Sequence, residues 1–166
     1  MYEKITGRHL DLSELNTTER EFVKTVYSQY ESQPEWTEFG SWWLAEFRRT
    51  GLPNDSVVYM ICADLETRLG IAQGKVATPD FRDYLVDLIE ERFGSRYRFC
   101  KETGIDAGHL SRVLAGSADF SLQSLERIAA ALDAVLTLQP RATAQNRLRP
   151  ETAKQLLAEW LEHNAE

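Results

Sequence analysis

Cysteine and histidine are scarce in this chain, two of the first and three of the second, and neither type is grouped. Cys62 and Cys100 fall in separate predicted helices without paired spacing, and His9, His109 and His163 are scattered. That pattern excludes a zinc-ligand set and a disulfide framework as organising devices. No apolar run approaches the length of a membrane span, and the N-terminus MYEKITGRHLDL has no apolar signal core. The expectation is a cytoplasmic protein with no membrane contact. Catalytic constellations are missing too. No nucleophile, base and orienting group stand in a recognisable set, and there is no phosphate loop, so neither an enzyme nor a cofactor is expected. The acidic pair Glu90 and Glu91 occupies adjacent helix positions, about 100° apart round the axis, which suits a solvated surface rather than a shared substrate.

Positive charge is also in deficit. A formal net charge of −7 excludes a protein that coats nucleic acid by bulk attraction, so any DNA contact must be local. The imbalance is uneven along the chain. Acids outnumber bases over residues 1–79, whereas the stretch from Arg96 to Gly116 carries Arg96, Arg98, Lys101 and Arg112 against Glu102 and Asp106.

What is present is helical periodicity. The chain has 166 residues, 43% hydrophobic and 27% charged, enough for one larger domain or two small ones. Met1 to Asn16 shows no sustained period and is expected to be irregular or a short helical lead-in. Thr17, Thr18 and Glu19 precede Phe22, Val23, Val26, Tyr27 and Tyr30 at helical spacing, with acids near the start as the helix dipole favours. Trp36, Phe39, Trp42, Trp43, Leu44 and Phe47 define a second helix, and Val57, Val58, Met60, Ile61, Leu65 and Leu69 a third. The three tryptophans between Trp36 and Trp43 leave two alternatives: the core of a small bundle, or an exposed aromatic patch for a partner. Gly70, Gly74, Thr78 and Pro79 mark a linker, with a domain boundary near residue 75.

The stretch SRYRFCKETGIDAGHLSRVLAG, Ser95 to Gly116, carries the most information. Two short helices meet at Gly104, where a chain that must turn at once needs the left-handed conformation. Phe99, Ile105, Leu110 and Val113 are the inward apolar positions, and Cys100 is the small residue at the crossing point. At these residues the chain resembles the DNA-binding helix-turn-helix of the lambda repressor/Cro-like class, the Xre family. The resemblance extends upstream to DYLVDLIEERFG and downstream to FSLQSLERIAAALDAVL, so it covers roughly Phe81 to Leu138. It implies that the helix starting near Asp106 enters the major groove of double-stranded DNA. With Leu110, Val113 and Leu114 inward, Ala107, Gly108, His109, Ser111 and Arg112 are the outward candidates. Arg112 is the base-reading candidate, because a guanidinium can pair with guanine O6 and N7. Arg96 and Arg98, at the start of the preceding helix, are phosphate candidates, and Ser95 joins them through its hydroxyl beside its capping role. Ser117 and Ser121 are weaker phosphate candidates. Ala107 and Gly108 stand where relatives often carry longer polar residues, so part of the specificity would pass to thymine methyl contact or DNA shape.

Beyond the helix capped by Ser121 the period changes. Ala134 to Leu138 is apolar and β-rich and predicts a strand. A lone strand needs a partner edge, so Val135, Leu136 and Leu138 are expected at a homodimer contact. Arg141 to Arg149 is a polar linker, and Pro150 opens a final helix striped by Ala153, Leu156, Leu157, Trp160 and Leu161.

The expected fold class is therefore all-α. A helical bundle over residues 1–75, a candidate partner or dimerisation surface, precedes a lambda-repressor-like helix-turn-helix domain over 79–140 that ends in one short β-strand. A linker and amphipathic helix occupy 141–166. The expected function is a sequence-specific, dimeric transcriptional repressor. An autoregulating antitoxin with a toxin or other protein partner is the narrower form, since antitoxins of this build resemble the chain. The alternative is a protein-interaction or ligand-sensing helical module that keeps the helix-turn-helix as scaffold.

Overall fold

A computed structural model describes residues 1–137. These residues form seven α-helices and one two-stranded sheet, a mostly helical fold. They divide into two compact units, Met1–Thr78 and the chain from Pro79 onward.

In the first unit, β1 (Tyr2–Glu3) and β2 (His9–Leu10) pair antiparallel, Tyr2 opposite Leu10 and Glu3 opposite His9. Three helices follow: α1 (Thr17–Glu31), α2 (Trp36–Thr50) and α3 (Val57–Ala72). Each start has a side-chain cap for its free amides. Asn16 and Glu19 form a reciprocal capping box on α1, Glu35 accepts from the Thr37 and Glu38 amides, and Ser56 accepts from Tyr59. The third helix is the axis of the unit, because it packs on both α1 and α2 and buries Val58, Ile61, Cys62, Leu65 and Leu69. Trp43 is buried and donates from Nε1 to Glu66 at 2.7 Å, while its ring meets Tyr59 edge-on. Trp36 and Trp42 are half-buried. Met1 is the one large hydrophobic residue strongly exposed among the described residues of this unit, so Trp43 is core, Trp42 packs against it, and the tryptophans form no strongly exposed patch. Gly70 permits the chain to fold back after α3, since a side-chain carbon there would lie 2.5 Å from Val76 Cγ2.

The lead-in is a hairpin, contrary to the irregular or helical segment expected over Met1 to Asn16. Two-residue strands are too short to produce an alternating pattern, and what holds them is remote in sequence. The Tyr2 hydroxyl donates to Asp64 Oδ2 at 2.5 Å, and the Ile5 amide donates to Asp64 Oδ1 at 2.8 Å. Arg68 Nε also donates to Asp64 Oδ2 at 2.7 Å, and its Nη2 reaches the Glu3 carbonyl at 3.0 Å. Asp64 and Arg68 are one turn apart on α3 and both fully buried. Removing one partner of such a pair typically costs about 3–5 kcal/mol, because the other charge is left uncompensated.

The second unit contains α4 (Phe81–Phe93), α5 (Arg96–Thr103), α6 (Ala107–Leu114) and α7 (Leu122–Ala131). Its core gathers Leu85 and Ile89 from α4, Phe99 from α5, Leu110 from α6, and Ile128 with Leu132 at the end of α7. The strand expected from Ala134 is not formed across Ala134–Thr137. The chain leaves α7 through Asp133, at φ 48°, with the Ala134 amide bonded to the Ala129 carbonyl at 2.8 Å. Among the described residues no neighbouring edge in this unit offers it a ladder, since the one sheet belongs to the first unit. Leu138, the linker and the final helix lie outside the described residues.

Burial, and then the adjacent Asp64 carboxylate, hold the Tyr2 phenol well above its ordinary 10.0; burial and Glu31 push Tyr27 up to about 12. A folded-state value raised above the unfolded one contributes stability that is complete below about pH 10 and is lost as pH climbs past it. Tyr2→Phe should therefore lower the urea midpoint at about pH 8, by the equivalent of about 1.5–3 kcal/mol, yet lose less than the wild type between about pH 8 and 10.5. Parallel losses in the two proteins would show that Tyr2 ionisation does not drive the alkaline change.

Candidate nucleic-acid interface

Helices α5 and α6 are each eight residues long, too short to persist alone, and their ends are fixed by local bonds. Ser95 Oγ accepts from the Arg98 amide at 3.2 Å to start α5. Gly104 ends it at φ 72°, ψ 13°, with its amide on the Cys100 carbonyl at 3.0 Å. An L side chain is strained in that backbone region. Ile105 turns half inward, and Asp106 Oδ1 then accepts from the His109 amide at 2.6 Å to start α6. Three residues thus reverse the chain, and α5 and α6 pack on each other and on α4.

The core decides which side of α6 meets solvent. Leu110 and Val113 are buried and Leu114 is half-buried, leaving Ala107, Gly108, Ser111 and Arg112 exposed. His109 differs from the outward position expected of it. It is half-buried, its ring edge-on to Phe120 with centroids 5.0 Å apart, on the flank facing the α6–α7 loop. On α5, Arg96 and Arg98 are exposed, whereas Ser95 is half-buried and occupied as a cap. Arg98 is also engaged, at 3.4 Å from Glu102. Arg96, Lys101 and Arg112 make no ion pair among the described residues, unlike Arg82, Arg92 and Arg98. Ser117 donates to the Arg112 carbonyl at 3.1 Å, and Ser121 caps α7, so both serine side chains have local roles. At the proposed dimer contact, Val135 is 84% and Leu136 45% exposed.

Sequence reasoning missed two residues here. Tyr97 is 74% exposed, and its signal was its phase, since an aromatic residue off the Phe99 stripe has no core to enter. Arg82 had no such signal. From the first turn of α4 its Nε donates to the Val113 carbonyl at 2.8 Å, while its other nitrogens reach Asp80 at 2.5 Å and Asp119 at 3.2 Å. A cation on the last turn of α6 also opposes the negative end of that helix dipole.

Other chemistry is thin. Among the described residues no three His, Cys, Asp or Glu side chains gather as metal ligands, and no helix is long and apolar enough to cross a membrane. Burial holds the Cys62 thiol, and to a lesser degree Cys100 with Asp106 nearby, above the ordinary range, which disfavours the nucleophilic thiolate. An open depression of 740 Å³ in the first unit is lined by residues including Thr17, Phe22, Glu46, Arg49 and Leu52, and there Arg49 already pairs with Glu46 at 2.5 Å. No protein-family model matches the chain, and no curated protein or solved structure is similar to it.

Arg82→Gln should cost about 1–2 kcal/mol of folding stability, because it weakens a charged, partly buried bond to α6. Asp119→Asn, whose side chain is 85% exposed, should cost less than about 0.5 kcal/mol. Urea denaturation of both variants checks this, and equal costs would show that the Val113 bond is not what Arg82 contributes.

Proposed function

We propose that this chain is a sequence-specific DNA-binding transcriptional regulator, acting as a dimeric repressor through a helix-turn-helix of the lambda repressor/Cro-like kind built from α5 and α6. The observation that carries this reading is the division of α6. Leu110 and Val113 are sealed into a core, and the opposite side of the helix offers small residues and one guanidinium that, like Arg96 and Lys101 of α5, makes no ion pair among the described residues. Small residues let the helix backbone approach base edges closely, the guanidinium can pair with guanine, and the remaining cations suit phosphates.

The overall acidity of the chain favours discrimination over bulk attraction. Three unpaired cations would displace few counterions, which gives a logarithmic salt slope of roughly −3 per chain. The competing role, a protein-interaction module with the helix-turn-helix as scaffold, needs an apolar docking face. The first unit exposes no large hydrophobic residue besides Met1 among its described residues, so the DNA reading is preferred. Apolar exposure is instead found in the second unit, at Phe81, Tyr97, Leu122, Val135 and Leu136, and the last two suit contact with a second copy, which supports two reading helices on two half-sites. An autoregulating antitoxin is a narrower form of the same proposal, and complex formation with the product of a neighbouring gene would establish it.

A fluorescence-anisotropy titration against the DNA upstream of the chain's own gene, with scrambled competitor at low and physiological salt, tests the proposal. Saturable binding that survives both challenges is expected. Arg112→Ala should weaken operator binding by about 1–3 kcal/mol while leaving scrambled DNA nearly unaffected, and Arg96→Ala should weaken both and flatten the salt slope by about 1. Equal loss on both DNAs for Arg112→Ala removes it from base reading. Leu136→Glu should yield monomers at micromolar concentration, and sedimentation that still reports dimers would place the contact elsewhere.

A further inference from the structure

We infer that Gly108 is the positioning residue that sets which base pair Arg112 reads, and that this base pair is G·C. The inference rests on the DNA-binding reading above and deepens it. Helical side chains lean toward the N-terminus, so a residue covers the turn before its own Cα. Arg112 follows this rule, and Gly108 lies four residues back on the same side. A side-chain carbon built on Gly108 would stand 3.5 Å from Arg112 Nη1, and also 3.5 Å from Asp106 Oδ1. The guanidinium is therefore folded over the first turn of α6, its Nη1 lying in van der Waals range of where a side-chain carbon of residue 108 would stand. Arg112 sits near the end of α6, yet its charge is delivered to the beginning, where a helix placed in the major groove meets base edges.

The surroundings keep that guanidinium available. Asp106 Oδ1 is occupied by the His109 amide, and Arg112 makes no ion pair with it or with any other described residue. Its donors can then face outward as a fork. Guanine is the base that shows two acceptors, O6 and N7, on its major-groove edge, whereas adenine places a donor beside N7. A side chain that continues beyond that carbon at position 108 would compete with Nη1 for the space next to it and shift the fork off that base pair. Ala107 has no such role, because it does not lie one turn behind Arg112.

The full-length wild type, Gly108→Ala, Gly108→Gln, Arg112→Ala and the Gly108→Gln/Arg112→Ala double variant should be titrated against the operator recovered by site selection and against each of its single-base-pair substitutions. Arg112→Ala and Gly108→Gln should lose discrimination at the same G·C pair, by roughly tenfold to a hundredfold, and the double variant should lose no more than either alone. Gly108→Ala should lose less at that pair than Gly108→Gln, since its single carbon only touches Nη1. Gly108→Gln should melt at or above the wild-type temperature, because Gln is the better helix former; if it does not fold, the Ala variant and the spectroscopic arm decide. In DNA-free protein, nuclear Overhauser contacts between the Arg112 side chain and the Gly108 α-protons are expected, and their absence overturns the placement. Losses at different base pairs, or losses that add in the double variant, overturn the inference while leaving DNA binding intact. A wild type that selects no sequence overturns the DNA reading and the inference with it.

Discussion

An eight-residue helix cannot hold its own shape in water, so α6 depends on the burial of Leu110 and Val113. Fully burying two such side chains is worth about 3–6 kcal/mol, against about 1 kcal/mol for the Asp106 cap. The same burial fixes the rotation of the helix and thereby chooses Ala107, Gly108, Ser111 and Arg112 as its solvent side. The bond from Arg82 to the Val113 carbonyl holds the far end. Which side chains α6 shows to solvent and the stability of the fold are thus one constraint.

The first unit is organised by a different interaction. Asp64 is buried on α3 and satisfied by a guanidinium, a phenol and a backbone amide from an N-terminal hairpin. A buried carboxylate is tolerable only when so fully bonded, and this one ties the first residues of the chain to its central helix. The aromatic residues pack round that helix through edge-on contacts such as Trp43 to Tyr59 and Phe47 to Tyr59. The surface left over is acidic and apolar-poor, which sets it apart from the exposed cations of α5 and α6.

The helices, their boundaries and most of their buried faces were legible in the sequence, because period 3.6 and capping residues are local signals. Ser95 and Ser121 cap the helices they precede, and Gly104 marks the corner between α5 and α6. The free cations Arg96 and Arg112 were also legible as candidates, since their off-stripe positions left them no core to enter.

Only the tertiary structure decided the rest, because those features are made by residues far apart in the chain. The hairpin exists through Asp64, some sixty residues from Tyr2 and Ile5, and no window of sequence contains both. The apolar run from Ala134 has β composition, yet a strand is a relation between two segments, and across Ala134–Thr137 no second segment pairs with it among the described residues. His109 turns onto Phe120 across a loop, Arg82 spans from α4 to α6, and Arg112 leans back over Gly108. Local periodicity determines which face of a helix is polar, and three-dimensional packing determines where each polar group on that face ends up.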